Sequence, residues 1–340
     1  MRSALALFLV ASTALADDEA PKNFDEYEAK HEFVCNGPIE KLATPDVREH
    51  GGFRYEHTGS TLKLRRLIPR KGPLKIGVLA AIKDAEPETF TLLDGFLAEF
   101  EKQDVELIFV GGDTAEEPKV LEAVYEWLAK KTKRPLLSVA GNSERPSAHN
   151  YAIFKVRRAG NGHLINMGII RRVDGDGADV VSLSGYYDKA YLHMRGACIY
   201  TPADLDALVE AAKEADSPVV LLSHGPPKQN GKDAIDFVPS SGNVGDPQIN
   251  AAITAAKIPF GVHGHILEAA GKATDLGGKV LKPGKAYASF FANPGSANPL
   301  PWKLNAGGTS YGLAGVITFE GKKAKFEVLR GEKPKPVAAP

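Results

Sequence analysis

The feature of this sequence that most constrains its fold is the alternation, after Lys71, of short apolar runs with longer amphipathic segments. Each apolar run has the length of a buried strand, and each amphipathic segment begins with proline and repeats its apolar residues at helical spacing. Strands are predicted over 74–81, 105–110 and 136–140, and helices over 87–103 and 118–131. A β-α-β-α-β order requires parallel strands joined by right-handed crossovers, so the chain is predicted to be an α/β protein.

The rest of the chain is divided by the same criteria into an N-terminal extension, a main domain and a tail. Further strands are predicted near 180–183, 219–223 and 258–262, with helices over 202–215 and 247–257, and residues 279–329 are richer in strands and glycine than in helices. Residues 17–70 have clustered charge and turn formers, which predicts an extension of uncertain fold. The main domain is expected over 71–330, followed by a loose Pro/Lys-rich tail over 331–340.

The first residues have the three parts of a secretory signal peptide. Met1-Arg2-Ser3 supplies a charged start, residues 4–10 are apolar, and Ala14-Leu15-Ala16 is a small-residue cleavage site, so residues 1–16 are predicted to be removed on export. No later stretch approaches transmembrane length, which predicts a soluble periplasmic or secreted protein without membrane insertion. Lys+Arg and Asp+Glu are both 42, so no overall field attracts nucleic acid. The sequence carries no signal for the oligomeric state.

The only two cysteines are Cys35 and Cys198. In an oxidising compartment they could form one disulfide between the extension and the main domain. Two unpaired buried thiols are equally compatible with the sequence, because spacing along the chain does not give the distance between the two residues. No cysteine spacing supports a metal site.

Polar residues of metal-binding type follow four of the predicted strands. Asp113 follows the second strand, Asn142 the third, His224 a later one, and the pair His263 and His265 another. Because the carboxyl ends of strands in an open α/β sheet share one edge, these groups are expected to converge on one crevice. A carboxylate, an amide oxygen and three imidazoles are ligands for a divalent transition metal.

The order of these motifs resembles that of a known family. Gly-Asp-Thr-Ala-Glu at 112–116 is similar to Gly-Asp-x-x-Asp, and Gly-Asn-Ser-Glu at 141–144 is similar to Gly-Asn-His-Asp/Glu. His224 matches an isolated histidine, His-Gly-His at 263–265 matches a closing Gly-His-x-His, and Asn-Pro-Gly-Ser at 293–296 resembles a turn that often follows it. Together they resemble the calcineurin-like metallophosphoesterases over about residues 71–330.

The resemblance implies a four-layer αββα sandwich that holds two metal ions bridged by one aspartate. Such enzymes hydrolyse phosphoesters with a metal-bound hydroxide in an in-line displacement. Carried over residue by residue, Asp113, Asn142, His224 and His263 correspond to a complete second-metal shell. Only His265 and the bridging Asp113 remain of the first shell.

The first motif of the family, Asp-x-His, is not retained. If the first strand ends as predicted, Ala81 and Lys83 occupy the two ligand positions, and neither side chain can coordinate a metal. A shift of three residues would offer Asp84 and Glu86 instead. Ser143 stands where the family has the histidine that assists the leaving group, and loss of a general acid typically lowers the rate about 10²–10⁴-fold.

These departures predict one firmly bound ion, Zn, Mn or Fe by ligand type, with the second position empty or weakly filled. Besides the five metal ligands, the candidate catalytic residues are Lys83, Asp84, Ser143 and Glu144. The predicted function is hydrolysis of a small phosphoester by a metal-bound water at a mononuclear site. The alternative is a catalytically inactive relative that binds a ligand or partner, which the substitutions at Ala81, Lys83 and Ser143 favour.

Overall fold

The computed structural model describes residues 21–41 and 44–332, so the predicted signal peptide and residues 333–340 of the predicted tail lie outside the described residues. The helices are α1 Phe24–Lys30, α2 Pro87–Lys102, α3 Pro118–Lys131, α4 Pro146–Arg158, α5 Pro202–Lys213 and α6 Pro247–Ala256. The strands are β1 Asp46–His50, β2 Phe53–Thr58, β3 Thr61–Arg66, β4 Lys75–Leu79, β5 Leu107–Val110, β6 Leu136–Ser138, β7 Leu164–Asn166, β8 Arg172–Gly175, β9 Asp179–Leu183, β10 Val219–Ser223, β11 Phe237–Val238, β12 Gly242–Asn243, β13 Phe260–His263, β14 Lys272–Thr274, β15 Phe290–Asn293, β16 Trp302–Lys303, β17 Thr309–Ser310, β18 Leu313–Glu320 and β19 Lys323–Arg330. No helix in this part of the chain is both long and apolar enough to cross a membrane.

Most of these strands form two large sheets. A six-stranded sheet has the order β19-β18-β4-β5-β6-β7, and its strands β4 to β7 are parallel, as the β-α-β-α-β pattern predicts. A nine-stranded sheet has the order β1-β2-β3-β8-β9-β10-β13-β15-β14, with β9, β10, β13 and β15 parallel to one another. The carboxyl ends of β5, β6, β10 and β13 carry the predicted site residues.

The two sheets pack face to face, with helices on both outer sides. The core between the sheets contains Val78 and Phe109 from the six-stranded sheet and Val220 and Phe260 from the nine-stranded sheet. Helices α2, α3 and α4 cover the outer face of the first sheet, and α5 and α6 cover that of the second. The predicted four-layer αββα sandwich is therefore confirmed. Each fully buried large apolar side chain contributes about 1.5–3 kcal/mol to such a core.

Helices α2 to α6 all begin with proline, which explains why their starting points could be read from the sequence. Proline at the first helical position lacks only an N–H that the helix would not use, and its φ is already helical. Helix α4 is the one of these five helices that the sequence analysis does not predict. Its buried face includes Ser147 and His149 as well as apolar residues, so the segment is more polar on average than the other helices that begin with proline.

The segment before Lys71 is built into the sandwich. Helix α1 packs on α4, where the rings of Tyr27 and Phe154 stack with their centroids 5.2 Å apart. Strands β1, β2 and β3 form an antiparallel meander, and β3 pairs in parallel with β8. The guanidinium of Arg70 lies 3.0 Å from the buried carboxylate of Glu106, the residue that directly precedes β5 in the chain. Residues 46–66 are thus one edge of the nine-stranded sheet.

The structure pairs Cys35 with Cys198 in a disulfide whose Cα atoms are 5.4 Å apart. Of the two arrangements compatible with the sequence, the disulfide is therefore the one formed. It joins the segment after α1 to the loop 186–200, which lies against the predicted site.

Stability is expected to fall as the pH is lowered from 7.5 to 5.5, because of buried His149 in α4. Burial lowers the pKa of His149 to about 3, so below pH 6.5 the unfolded chain takes up a proton that the folded chain does not. The difference is worth about 1.4 kcal/mol per pH unit. Urea unfolding of His149→Gln, which can keep the hydrogen bond to Ser138, should show a pH dependence weaker by about that amount. An unchanged pH dependence would contradict this assignment.

Candidate metal centre and active site

Four strand ends bring the predicted ligands to one place. Strand β10 pairs with β13 in a register that sets Ser223 opposite His263, so the residues that follow both strands are neighbours. The turn after β5 approaches them closely at Gly112, which has φ +83°. A Cβ on Gly112 would lie 2.7 Å from the amide nitrogen of Gly141 and 2.7 Å from Nδ1 of His224. Only glycine permits this approach.

Asp113, Asn142 and His224, which are buried, and His265, which is partly buried, form one cluster, which we call the ligand cluster. Nε2 of His224 lies 2.7 Å from Oδ1 of Asn142 and 3.4 Å from Oδ1 of Asp113. Nδ1 of His265 lies 2.9 Å from the same Asn142 oxygen. The ligand atoms of Asp113, His224 and His265 all lie within 4.8 Å of one another.

The hydrogen bonds around the ligand cluster leave lone pairs on three neighbouring atoms, which are Nε2 of His224, Oδ1 of Asn142 and Oδ1 of Asp113. Nδ1 of His224 lies 2.9 Å from the carbonyl oxygen of Gly111, which can only accept, so Nδ1 carries the proton. Burial lowers the pKa of His224, so its ring is neutral and Nε2 presents a lone pair. The Asn142 amide donates its Nδ2 to the carbonyl of Tyr191, which fixes Oδ1 toward His224. Three acceptors that face one another fit a bound cation.

Asp113 is an ionised carboxylate next to Lys83. Burial alone would raise the pKa of Asp113, but the positive charges that His224, when protonated, and Lys83 place beside it hold the pKa below its usual range. Nζ of Lys83 lies 3.7 Å from Oδ2 of Asp113. The backbone N–H of Ser143 donates to Oδ1 at 3.2 Å. The ammonium therefore lies on the side of Asp113 that faces away from His224.

The backbone around the ligand cluster is strained at residues that are not glycine. Ala81, Lys83, Asp113 and His265 all have φ between +48° and +72°. Such conformations cost about 1–3 kcal/mol each and concentrate at functional sites. The ring of His265 is held in addition by the Tyr186 ring, whose centroid is 4.1 Å away.

His263 is placed differently from the other predicted ligands. Its Nδ1 bonds to the hydroxyl of Ser223 at 2.8 Å and its ring lies along that of Phe291. A Cβ on Gly261 would meet Nε2 of His263 at 2.4 Å, so this nitrogen points toward β13 itself. Nε2 is buried and makes no hydrogen bond within the described residues. The structure brings His224 and His265 to Asp113 and leaves His263 outside the group.

The first motif contributes no metal ligand to the cluster. Ala81 offers a methyl group, and its carbonyl oxygen accepts from the Ser296 hydroxyl at 2.7 Å. The carboxylate of Asp84 accepts from the hydroxyl of Thr89 at 2.5 Å and from Nδ2 of Asn298 at 2.8 Å. Asp84 therefore fastens the loop before α2, and it is not among the residues whose ligand atoms converge.

Glu144 links the backbone segments that follow β5 and β6. Its carboxylate accepts the backbone N–H groups of Asp113 at 3.1 Å, Gly141 at 2.6 Å, and Thr114. Burial, followed by the charge of Asp113, raises the pKa of Glu144 to about 8, although the three N–H donors act to lower it. Because Glu144 is fully buried, it can position the ligand cluster but cannot touch a substrate.

A histidine that the sequence analysis missed lies at the Ser143 position. Nδ1 of His193 is 3.0 Å from the hydroxyl of Ser143, and the backbone N–H of His193 donates to the carbonyl of Asn142 at 3.2 Å. Nδ1 of His193 also lies 3.6 Å from the carboxylate of Glu116. His193 has no motif around it and lies 50 residues after Ser143, so only the tertiary structure could identify it.

A cleft of about 270 Å³ opens beside the ligand cluster. Its lining residues are Lys83, Asp84, Asp113, Ala115, Glu116, Glu117, Val120 and Ser143. The lining carries four carboxylates against one ammonium. An anionic substrate therefore needs an additional positive charge in order to bind there.

Comparisons with known proteins place this architecture among solved folds. No family model and no curated relative matches the sequence. The structure of TT1561 of Thermus thermophilus is 14% identical, with a TM-score of 0.50 over 76% of this chain and 99% of its own. A dimetal phosphatase from Danio rerio is 11% identical, with a TM-score of 0.47 over 76% of this chain and 99% of its own. Phosphopantetheinyl hydrolase from Mycobacterium tuberculosis is 14% identical, with a TM-score of 0.43 over 67% of this chain and 92% of its own.

At such low identity these similarities concern the fold alone. The αββα layers cover the range that the motifs predicted, and the motif residues lie at the carboxyl ends of the strands as the resemblance implied. The chain therefore has the calcineurin-like metallophosphoesterase fold.

Proposed function

We propose that this protein is an exported hydrolase that binds one divalent transition metal ion and cleaves a small phosphoester. The observation that carries the proposal is the convergence of lone pairs from Asp113, Asn142 and His224, with His265 at the same amide oxygen. A mixed carboxylate, amide and imidazole set suits Zn, Mn or Fe.

Asp113, Asn142, His224 and His265 would hold the ion. When bound, a divalent cation polarises a phosphoryl oxygen and makes water nucleophilic near neutral pH. It would also offset the four carboxylates of the cleft, which otherwise repel a phosphate. His263 stays a prediction as a ligand, because its ring must turn away from Gly261 before it can join the set.

Lys83 supplies a fixed positive charge where the family has its first metal. Its ammonium, 3.7 Å from Asp113, leaves one side open to the cleft. There it can bind a nonbridging phosphate oxygen without a second ion. This arrangement supports a mononuclear site.

His193 is suited to donate a proton to the leaving oxygen, which is the role that the Ser143 substitution leaves vacant. Its side chain is 46% exposed and stands between Ser143 and the cleft residue Glu116. His193→Ala is expected to lower kcat about 10²-fold with a smaller change in KM. Steady-state kinetics on an aryl phosphate diester measure this effect. His57→Ala, on the β2–β3 hairpin, is the control, and an unchanged kcat in His193→Ala would remove His193 from the mechanism.

Metal content tests the proposal directly. The mature protein, purified and then loaded with Mn²⁺ or Zn²⁺, is expected to retain about one ion per chain after removal of free metal, as measured by elemental analysis. Anomalous scattering should place that ion among Asp113, Asn142, His224 and His265. A protein that retains no stoichiometric metal after loading would refute the proposed function.

A second candidate function is that of a non-enzymatic relative that keeps the metal site to bind a ligand. It is favoured by the loss of ligand side chains at Ala81 and Lys83 and by the serine at position 143. The two candidates differ in one measurement. A protein with a full metal site that hydrolyses neither aryl phosphate monoesters nor diesters is the binding protein, whereas turnover that requires Asp113 identifies the enzyme.

Export is supported by two features of the chain. Residues 1–16 have the pattern of a signal peptide. The Cys35–Cys198 disulfide is of a kind that persists in oxidising compartments and is rare in the cytosol.

A further inference from the structure

We propose that a second cleft, on the opposite end of α4 from the ligand cluster, binds a small organic anion with a flat apolar body. This arginine cleft has a volume of about 450 Å³ and lies between α1, β1 and the last turns of α4. Its polar lining includes Arg48, Arg157, Arg158 and Asn150, and its apolar lining includes Tyr27 and Phe154. The inference is independent of the proposed phosphoesterase activity.

The arginine cleft has an excess of positive charge that the described residues do not neutralise. The guanidinium of Arg157 is half-buried and makes no hydrogen bond or salt bridge with them, and burial followed by the charge of Arg48 lowers the pKa of Arg157. The carboxylate of Asp46 lies 3.6 Å from Arg48, and its side chain is 69% exposed. A guanidinium has five N–H donors, and leaving them unpaired in a half-buried position is unfavourable. An anion in the cleft would satisfy them.

Arg48 also has an unused donor. It donates one N–H to the carbonyl of Gly162 at 2.9 Å, while its Nε is buried and makes no hydrogen bond in the described part of the chain. Asn150, which also lines the cleft, accepts from Asn166 through its side-chain oxygen. The charged side chains of the lining, Arg48, Arg157 and Arg158, are thus all hydrogen-bond donors.

Stabilisation of the α4 dipole does not explain this grouping. Basic residues in a last turn typically contribute about 0.3–1 kcal/mol to a helix. Lys155 in the same turn region already has a partner, Glu122. Arg48, however, comes from β1 and is not part of α4, yet it lines the same cavity as Arg157. The convergence of two elements is what indicates a ligand site.

The walls of the arginine cleft select for a flat apolar body. The rings of Tyr27 and Phe154 are stacked, with centroids 5.2 Å apart. The guanidinium of Arg158 lies 5.6 Å from the centre of the Phe154 ring, and Ile169 at the edge is 51% exposed. Guanidinium groups beside aromatic faces recognise planar anions through stacking and paired hydrogen bonds. An aromatic sulfonate or carboxylate has both features.

The arginine cleft is separate from the proposed active site. Helix α4 has 13 residues, so its two ends are about 20 Å apart. Glu144, which holds the ligand cluster, lies two residues before the start of α4, whereas Arg157 and Arg158 are its last two residues. A small molecule in the arginine cleft therefore does not reach the metal ligands.

Calorimetric titration tests the proposal. The full-length mature protein, freed of metal, is titrated with naphthalene-2-sulfonate and, separately, with 2-naphthoate. We expect one binding site for at least one of the two anions, and binding weakened about tenfold or more, equal to 1.4 kcal/mol, in Arg157→Gln. Arg158→Gln, which changes an exposed side chain, should weaken binding in the same direction and guards against a folding defect in the first variant. Arg54→Gln, on β2, is the matched control and should bind as the unchanged protein does.

The remaining outcomes overturn the proposal. Equal binding of neutral 2-naphthol would show that charge is not recognised, and equal binding of inorganic sulfate would show that the aromatic wall is not used. Binding of phosphatidylserine vesicles without binding of either soluble anion would assign the arginine cleft to a membrane surface. Unchanged affinity in both arginine variants would place the ligand elsewhere.

Discussion

His224→Ala is expected to bind less than one tenth of the metal of the unchanged protein and to lose about 10³-fold in hydrolysis of an aryl phosphate. His224 contributes the nitrogen that lies 2.7 Å from Asn142 and 3.4 Å from Asp113, so its removal opens the ligand cluster at its centre. A catalytic metal contributes several kcal/mol to transition-state stabilisation. Since about 1.4 kcal/mol corresponds to a tenfold change in rate, a loss near 10³ follows.

The control for this experiment must be another buried histidine. His149→Gln removes an imidazole that is as inaccessible as His224 but lies outside the ligand cluster. It should keep both metal and activity at neutral pH, and circular dichroism should show that both variants are folded. Asp113→Asn, which keeps the shape of the side chain and removes its charge, should reproduce the defect of His224→Ala. Full metal content in both cluster variants would mean that the ion binds elsewhere.

The double variant Cys35→Ser, Cys198→Ser is expected to lower the free energy of unfolding by about 3–5 kcal/mol. The disulfide closes a loop of 163 residues, so its loss gives the unfolded chain much more conformational freedom. Urea unfolding at pH 7.5 measures the change, and the unchanged protein treated with a reductant should show the same loss. A decrease below about 1 kcal/mol would contradict the expectation, since native disulfides in exported domains typically contribute more.

The disulfide variant should also affect activity through the loop 186–200. Cys198 lies five residues after His193, and the backbone N–H of Cys198 donates to the carbonyl of Glu144 at 3.0 Å. Without the covalent link to Cys35, the position of His193 beside Ser143 depends on hydrogen bonds alone. We expect kcat to fall while metal content stays near one ion per chain. This combination separates loss of loop position from loss of the metal site.

The alternation of strands and helices and the polar residues at the strand ends could be predicted from the amino-acid sequence, whereas the four-layer arrangement was implied by the family resemblance. Apolar runs of strand length, separated by segments that begin with proline, require parallel strands with helical crossovers. Since parallel strands share a carboxyl edge, Asp113, Asn142 and His224 could be brought together without knowledge of any distance. These inferences use only patterns that are local in the chain.

Which side chains point into the site depends on the tertiary structure. His263 and His265 are two residues apart, yet His265 reaches Asn142 while His263 turns toward Phe291. His193 brings an imidazole beside Ser143 from a loop that no motif marks. Rotamers and loop positions depend on packing between residues far apart in the chain, for which a local pattern holds no information. The pairing of Cys35 with Cys198 belongs to the same class.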